Sequence, residues 1–153
     1  MKIEILAVDR LRSAWAREAV DEYMGRIGRY CPVERREVKR AGEDAGAVAA
    51  EGERLLKAAA TGPADKLVAL DPAGEALDSA GWAALVGGSA DQGVGRLVFV
   101  VGGAAGLSPE VRRSARRIVS LGPQTLAHEL AQVVLVEQLY RAWTILRGEP
   151  YHK

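Results

Sequence analysis

Three observations predict an α/β fold, a mostly parallel sheet with helices on both faces. Strand-like and helix-like patterns alternate five times along the 153 residues. Leu97-Val98-Phe99-Val100-Val101 is a continuous apolar run, as a central parallel strand buried on both faces requires. Glycine-rich or Gly-Pro segments follow two of the strands directly, at Gly102-Gly103-Ala104-Ala105-Gly106 and at Gly122-Pro123. The length suits one domain over residues 1–153. Such a chain buries about 68–70% of its unfolded surface, so it needs neither disulfide nor metal to fold.

In chain order, Ile3-Glu4-Ile5-Leu6-Ala7-Val8 is short and rich in β-formers, hence a strand. Ser13 opens a helix predicted over residues 13–30, with Trp15, Ala19, Tyr23 and Ile27 at spacings of four, and Pro32 stops it. Residues 33–38 form a polar strand expected at an edge. Residues 44–60 read as an Ala-rich helix with Val48, Leu55 and Leu56 on its apolar side, ended by Thr61-Gly62-Pro63. Leu67-Val68-Ala69-Leu70 is a buried strand running into a turn signal, Asp71-Pro72-Ala73-Gly74. A short helix over residues 79–86 follows, and Gly87, Gly88, Gly93 and Gly95 mark a loop. After the central strand, Ser108-Pro109 supplies an N-cap and a proline at the first helical position. Ile118-Val119-Ser120-Leu121 is the last strand. The final helix, over residues 128–147, is apolar on more than one face, a pattern that suggests a subunit interface.

The composition excludes several classes. A net charge of +1, from 21 Lys+Arg against 20 Asp+Glu, excludes a polycation but leaves room for a local basic patch. One cysteine, Cys31, allows neither an internal disulfide nor a cysteine-based metal site. His128 and His152 fall in no metal-ligand spacing, so no metal is expected. No apolar run reaches a membrane span, and Glu4 and Asp9 interrupt any signal-like start, so the cytoplasm is the expected location and no membrane partner is expected.

Ligands of open α/β sheets bind beyond the carboxyl ends of the strands. Here those ends carry Leu70-Asp71, the 102–106 glycines, and Gly122-Pro123-Gln124-Thr125, which suit either a nucleotide-like cofactor or tight unliganded turns. The glycine loop matches neither the dinucleotide fingerprint nor a P-loop. Arg112, Arg113, Arg116 and Arg117 are expected in two rows on one helix, and Arg35, Arg36, Lys39 and Arg40 form a second cluster. Each cluster could meet RNA phosphates or simply face water. Glu149-Pro150-Tyr151-His152-Lys153 holds an aromatic hydroxyl, an imidazole and an amine, which could hold a base and handle its proton.

These residues carry a resemblance. Gly102-Gly103-x-x-Gly106-Leu107, Thr125-Leu126-x-His128, Leu135-Val136-Glu137-Gln138-Leu139-Tyr140-Arg141-Ala142-Trp143 and Arg147-Gly148-Glu149-Pro150-Tyr151-His152-Lys153 are similar to the C-terminal half of the ribosomal large-subunit pseudouridine N3-methyltransferases, of the SPOUT class. The N-terminal half fits more loosely, through the opening strand and Leu70-Asp71. The resemblance implies an α/β knot, a homodimer, and S-adenosylmethionine bound by Leu70, Gly103, Gly122, Pro123, Gln124, Thr125, Leu126 and Ala127. It implies a pseudouridine in helix 69 of 23S rRNA as substrate, on the assembled ribosome. Arg141, Tyr151 and His152 would be catalytic, and Arg112, Arg113, Arg116, Arg117, His128 and Lys153 would meet RNA. Gln132 and Ala127 depart from the family pattern, where Arg and Pro are frequent. A related knotted tRNA methyltransferase, or a non-catalytic RNA- or nucleotide-binding dimer, are the alternative readings.

Overall fold

The computed structural model describes residues 1–152, with the backbone alone at His152; Lys153 and the His152 side chain lie outside the described residues. Five strands alternate with five helices: β1 (Lys2–Val8), α1 (Ala14–Ile27), β2 (Val33–Val38), α2 (Ala47–Ala59), β3 (Lys66–Ala76), α3 (Ser79–Asp91), β4 (Arg96–Val101), α4 (Pro109–Ser114), β5 (Arg117–Ser120) and α5 (His128–Leu146). A 3₁₀ turn at Pro150–His152 follows. All strand pairs are parallel, in the order β2-β1-β4-β3-β5. β4 is central and β2 is at an edge, as the sequence predicts.

The period-2 alternation of the strands divides the core in two. Ile3, Ile5, Ala7, Val68 and Phe99 pack with α1, α3 and α5, while Leu6, Val8, Ala69, Val98 and Val100 pack with α2 and α4. Glu4 is the exception in β1. Its buried carboxylate receives Arg96 Nη1 at 3.0 Å and the Arg36 guanidinium, and Arg96 also reaches Asp65 at 2.7 Å. The ion-paired arginines make burial of that charge tolerable. Asp65 is held below the ordinary carboxylate range, chiefly by its hydrogen bond from Arg96.

Four expectations are corrected. The Asp71–Gly74 signal does not end β3; the strand continues to Ala76, and its register against β5 shifts between Leu70 and Glu75. A Cβ on Gly74 would lie 2.8 Å from the Val119 backbone, so glycine permits this close approach. α3 runs through Gly87 and Gly88 to Asp91, and Gly87 packs against Leu146 of α5: a Cβ there would lie 2.8 Å from Leu146 Cδ2. The buried stripe of α1 is Ala16, Val20 and Ile27, while Trp15 is 51% exposed. Arg116 and Arg117 are not on a helix with Arg112 and Arg113; α4 ends at Ser114 and Arg117 belongs to β5. The breadth of the apolar face of α5 has a cause within the chain, since α5 packs against both α1 and α3.

Candidate functional site

The carboxyl ends of β4 and β5, and the stretch of β3 from Leu70 where its pairing with β4 ends, open onto one cleft of about 190 Å³ that is partly continuous with solvent. Leu70 and Asp71 line it from β3, Gly102, Gly103 and Gly106 from the loop after β4, and Gly122, Gln124, Thr125 and Leu126 from the segment after β5. Of the residues the resemblance assigns to a cofactor, Pro123 and Ala127 share that segment without lining the cleft.

Local chemistry builds each wall. Gly106 N–H donates to Gly103 O at 3.0 Å, closing the loop on itself. A Cβ on Gly102 would lie 2.6 Å from Gly106 O, so the loop can fold this tightly only without a side chain there. Ser108 then caps α4, its Oγ accepting from Val111 N at 3.3 Å, with Pro109 next. Ser120 Oγ donates to Gly122 O at 2.8 Å and accepts from Gly122 N at 3.1 Å, fixing the turn out of β5. Asp71 is buried in the cleft wall, with Oδ2 2.7 Å from Arg112 Nη2 and Oδ1 accepting from Ala73 N at 2.9 Å.

His128 also lines the cleft, at the first turn of α5. Its Nε2 is 3.0 Å from Nε2 of Gln132, one turn on. The Gln132 side chain is fully buried, and its Oε1 accepts from Arg35 Nε of β2 at 2.9 Å. Beside this, Glu129 accepts from Ser13 Oγ at 2.5 Å, from Ser13 N at 3.0 Å and from Arg12 N. The Ser13 hydroxyl, then the backbone donors, hold its carboxyl below the usual range. This clasp ties the loop before α1 to the start of α5.

The tail residues form a separate cluster at the other end of α5. Glu137 Oε1 accepts from Arg141 at 2.6 and 3.0 Å and from Tyr151 OH at 3.1 Å. Tyr151 OH also lies 3.2 Å from Tyr23 OH, and the Arg141 guanidinium sits 4.8 Å from the Tyr151 ring centroid. Burial first, then the hydrogen bonds with Tyr23 and Glu137, push the Tyr151 phenol well above its ordinary range. Tyr30 OH donates to Glu149 at 2.6 Å, and burial with that bond raises it to about 12. Glu137 and Tyr23 were not singled out by the sequence analysis as site residues, although Glu137 lies four residues before Arg141 in a quoted motif. His128 and Arg141 are thirteen residues apart on one helix, about 20 Å at 1.5 Å per residue. Within one chain the cleft and the tail cluster therefore do not meet.

The basic clusters are distributed differently from the sequence expectation. Arg112 is bound to Asp71, Arg113 to Glu110 and Arg117 to Glu75. A second cleft instead gathers Arg10, Arg12 and Arg17 from the β1–α1 region with Arg35 from β2. Arg12 pairs with Asp9 and Arg35 with Glu37, while Arg17 donates to the Leu11 and Arg12 carbonyls. Of these four, the sequence analysis singled out Arg35 alone, although Arg10, Arg12 and Arg17 fall within eight residues of one another.

Comparison with known proteins agrees with this architecture. The family model described as "Predicted SPOUT methyltransferase" matches residues 1–152. Proteins called ribosomal RNA large subunit methyltransferase H are 46% identical in Anaeromyxobacter dehalogenans strain 2CP-1, covering all of both chains, and 40% identical in Geotalea uraniireducens, covering 99% of each. Two solved structures share the fold. A probable methylase family protein from Haemophilus influenzae has a TM-score of 0.61 at 14% identity, over 99% of this chain and 70% of that one. A probable methyltransferase from Bordetella pertussis has a TM-score of 0.57 at 18% identity, over 92% and 95%. With a family model spanning all but its last residue and full-length relatives above 40% identity, the chain belongs to the SPOUT methyltransferase family.

Proposed function

We propose that the protein is an S-adenosylmethionine-dependent methyltransferase acting on large-subunit rRNA, at N3 of a pseudouridine in helix 69, on the assembled ribosome. The observation that carries the reading is the glycine-walled cleft between β3 and the carboxyl ends of β4 and β5, in a chain whose full-length relatives are called ribosomal RNA large subunit methyltransferase H. Its residues fit the methyl donor. Leu70, Val101, Leu121 and Leu126 offer apolar walls to a purine, and the glycine segments 102–106 and 121–127 present main-chain polar groups at close range. When bound, S-adenosylmethionine supplies a methyl group activated on a sulfonium. Leu70, Gly103, Gly122, Gln124, Thr125 and Leu126 would hold it, with Asp71 already neutralised by Arg112. The segment after β5 shares the cleft with the loop after β4 and with Leu70–Pro72 of β3, an arrangement that favours the knot of this family.

The remaining work falls to positioning and to the proton on N3. Arg141, already oriented by Glu137, presents a fixed fork to a base carbonyl or phosphate. The Tyr151 phenol, whose proton is held tightly, suits a donor to the base better than a proton acceptor. His152 is the better acceptor by residue type, since an imidazole accepts and releases protons near neutral pH. The 20 Å between cleft and tail supports a homodimer in which the tail of one protomer completes the cleft of the other. Trp15, Leu130 and Leu146 are large exposed apolar residues for such contacts, and the Ser13–Glu129 clasp brings the segments bearing the first two together.

The test is incubation with methyl-labelled S-adenosylmethionine and ribosomes unmethylated at helix 69, with free helix-69 RNA and tRNA in parallel. Label is expected at the helix-69 pseudouridine of ribosomes, with free RNA much poorer, because shape and phosphate contacts carry recognition. Label on tRNA alone would replace the substrate. In the same reading the Arg10–Arg12–Arg17–Arg35 cleft takes RNA phosphates. Arg10→Ala should lower the slope of log affinity for ribosomes against log salt by about 0.7–0.9, one phosphate contact. An unchanged slope would remove this cleft from the RNA path.

A further inference from the structure

We infer that His128 is a positioning residue of the cleft: a neutral imidazole whose single proton is fixed on Nδ1 by a relay from Arg35 through Gln132, so that it donates from Nδ1 to an oxygen of the bound ligand. The inference rests on reading the cleft as the methyl-donor site.

Arginine has five N–H donors and no acceptor, so the atom of Gln132 that faces Arg35 Nε at 2.9 Å is its carbonyl oxygen. The amide nitrogen of Gln132 then faces His128 Nε2 at 3.0 Å, and an amide nitrogen can only donate. His128 Nε2 is therefore the acceptor and carries no proton. The ring's one proton sits on Nδ1, and an imidazolium, which has donors at both nitrogens, is incompatible with this arrangement. Neither amide orientation is free to change. Gln132 is buried, Arg35 is tied as well to Glu37 at 2.9 Å, and reversing the amide would set two donors against each other at Arg35. The relay crosses from β2 at the sheet edge to the first turn of α5, and its end lines the cleft. It fixes which ring nitrogen of His128 carries the proton.

Nδ1–H can serve one of two oxygens, the carboxylate of the methyl donor or a carbonyl of the target base. Long-range ¹H–¹⁵N spectra of histidine-labelled protein read the tautomer directly. The wild type is expected to show a protonated Nδ1 and an unprotonated Nε2 at His128, assigned by its loss in His128→Asn. Gln132→Glu, which keeps the shape and the Arg35 contact but offers only acceptors, should move the proton to Nε2 and leave Nδ1 without one. Methyl transfer should fall roughly tenfold in kcat/KM in this variant, about one hydrogen bond. His128→Asn, whose amide places a donor near the Nδ1 position, should retain several-fold more activity than His128→Gln, whose donor lies near Nε2. If the partner is the methyl donor, its Kd by calorimetry rises in Gln132→Glu; if it is the base, that Kd holds and the loss appears with ribosomes. A protonated Nε2 in the wild type, or equal activities of the Asn and Gln variants, would overturn the inference. Failure of the wild type to bind S-adenosylmethionine would overturn the reading of the cleft while leaving the tautomer measurement intact.

Discussion

Arg141→Ala is expected to lower methyl transfer by about a hundredfold or more, the usual cost of removing one preorganised donor from an active site, while leaving S-adenosylmethionine binding unchanged. The separation follows from the roles, because Arg141 is held by Glu137 to meet the base and is not among the cleft residues that would hold the methyl donor. Ala131→Phe should do the reverse: Ala131 lines the cleft from α5, and a phenyl ring there occupies cofactor space. Mixed dimers of the two inactive variants, formed by co-refolding or co-expression, make the decisive measurement. Random pairing makes half of the dimers mixed, and each mixed dimer holds one site with an intact cleft and an intact tail, so about a quarter of wild-type activity returns in a two-fold dimer with shared sites. If each chain used its own tail, mixing would restore nothing, and the proposed composite site would fall.

Gly102→Ala is expected to cost about a hundredfold in affinity for S-adenosylmethionine, or about 2.7 kcal/mol. Its Cβ would lie 2.6 Å from Gly106 O and 3.1 Å from Leu107 Cδ2, and backbone cannot move aside as a side-chain tip can. The loop must open, and the 3.0 Å hydrogen bond from Gly106 N to Gly103 O opens with it. Gly88→Ala is the matched control. Nothing lies within 4 Å of its Cβ, and it sits inside α3, so it should stabilise the fold by about 0.5–1 kcal/mol and leave the affinity alone. Calorimetric titration of both variants, with thermal unfolding alongside, reads the two effects. Wild-type affinity in Gly102→Ala would mean that the cofactor does not depend on the closed 102–106 loop.

Several parts of this molecule were legible in residues alone. The apolar run 97–101 fixed the central strand, because only burial on both faces tolerates five consecutive large apolar residues. Ser108-Pro109 fixed the start of α4, since capping is local chemistry. The segments at 70, 102–106 and 122–126 were legible as one site, because parallel topology brings the carboxyl ends of β4 and β5 beside the point where β3 stops pairing with β4.

Other features depended on neighbours distant in sequence. Gly87 and Gly88 read as a loop, yet both lie within α3, where Leu146 takes the space a side chain at Gly87 would fill. Asp71–Gly74 read as a turn, yet β5 lies against Gly74 and keeps the chain extended. The arginines at 112–117 read as one basic helix, yet β5 begins within the run and Asp71 and Glu75 take two of them. The Arg35–Gln132–His128 relay spans 97 residues between its first two members. Local chemistry and periodicity thus determined the alternating elements, the central strand and the location of the cleft. Tertiary structure decided which charges are neutralised, which glycines serve packing, and how far the tail stands from the cleft, because each of these is set by partners that only folding brings into contact.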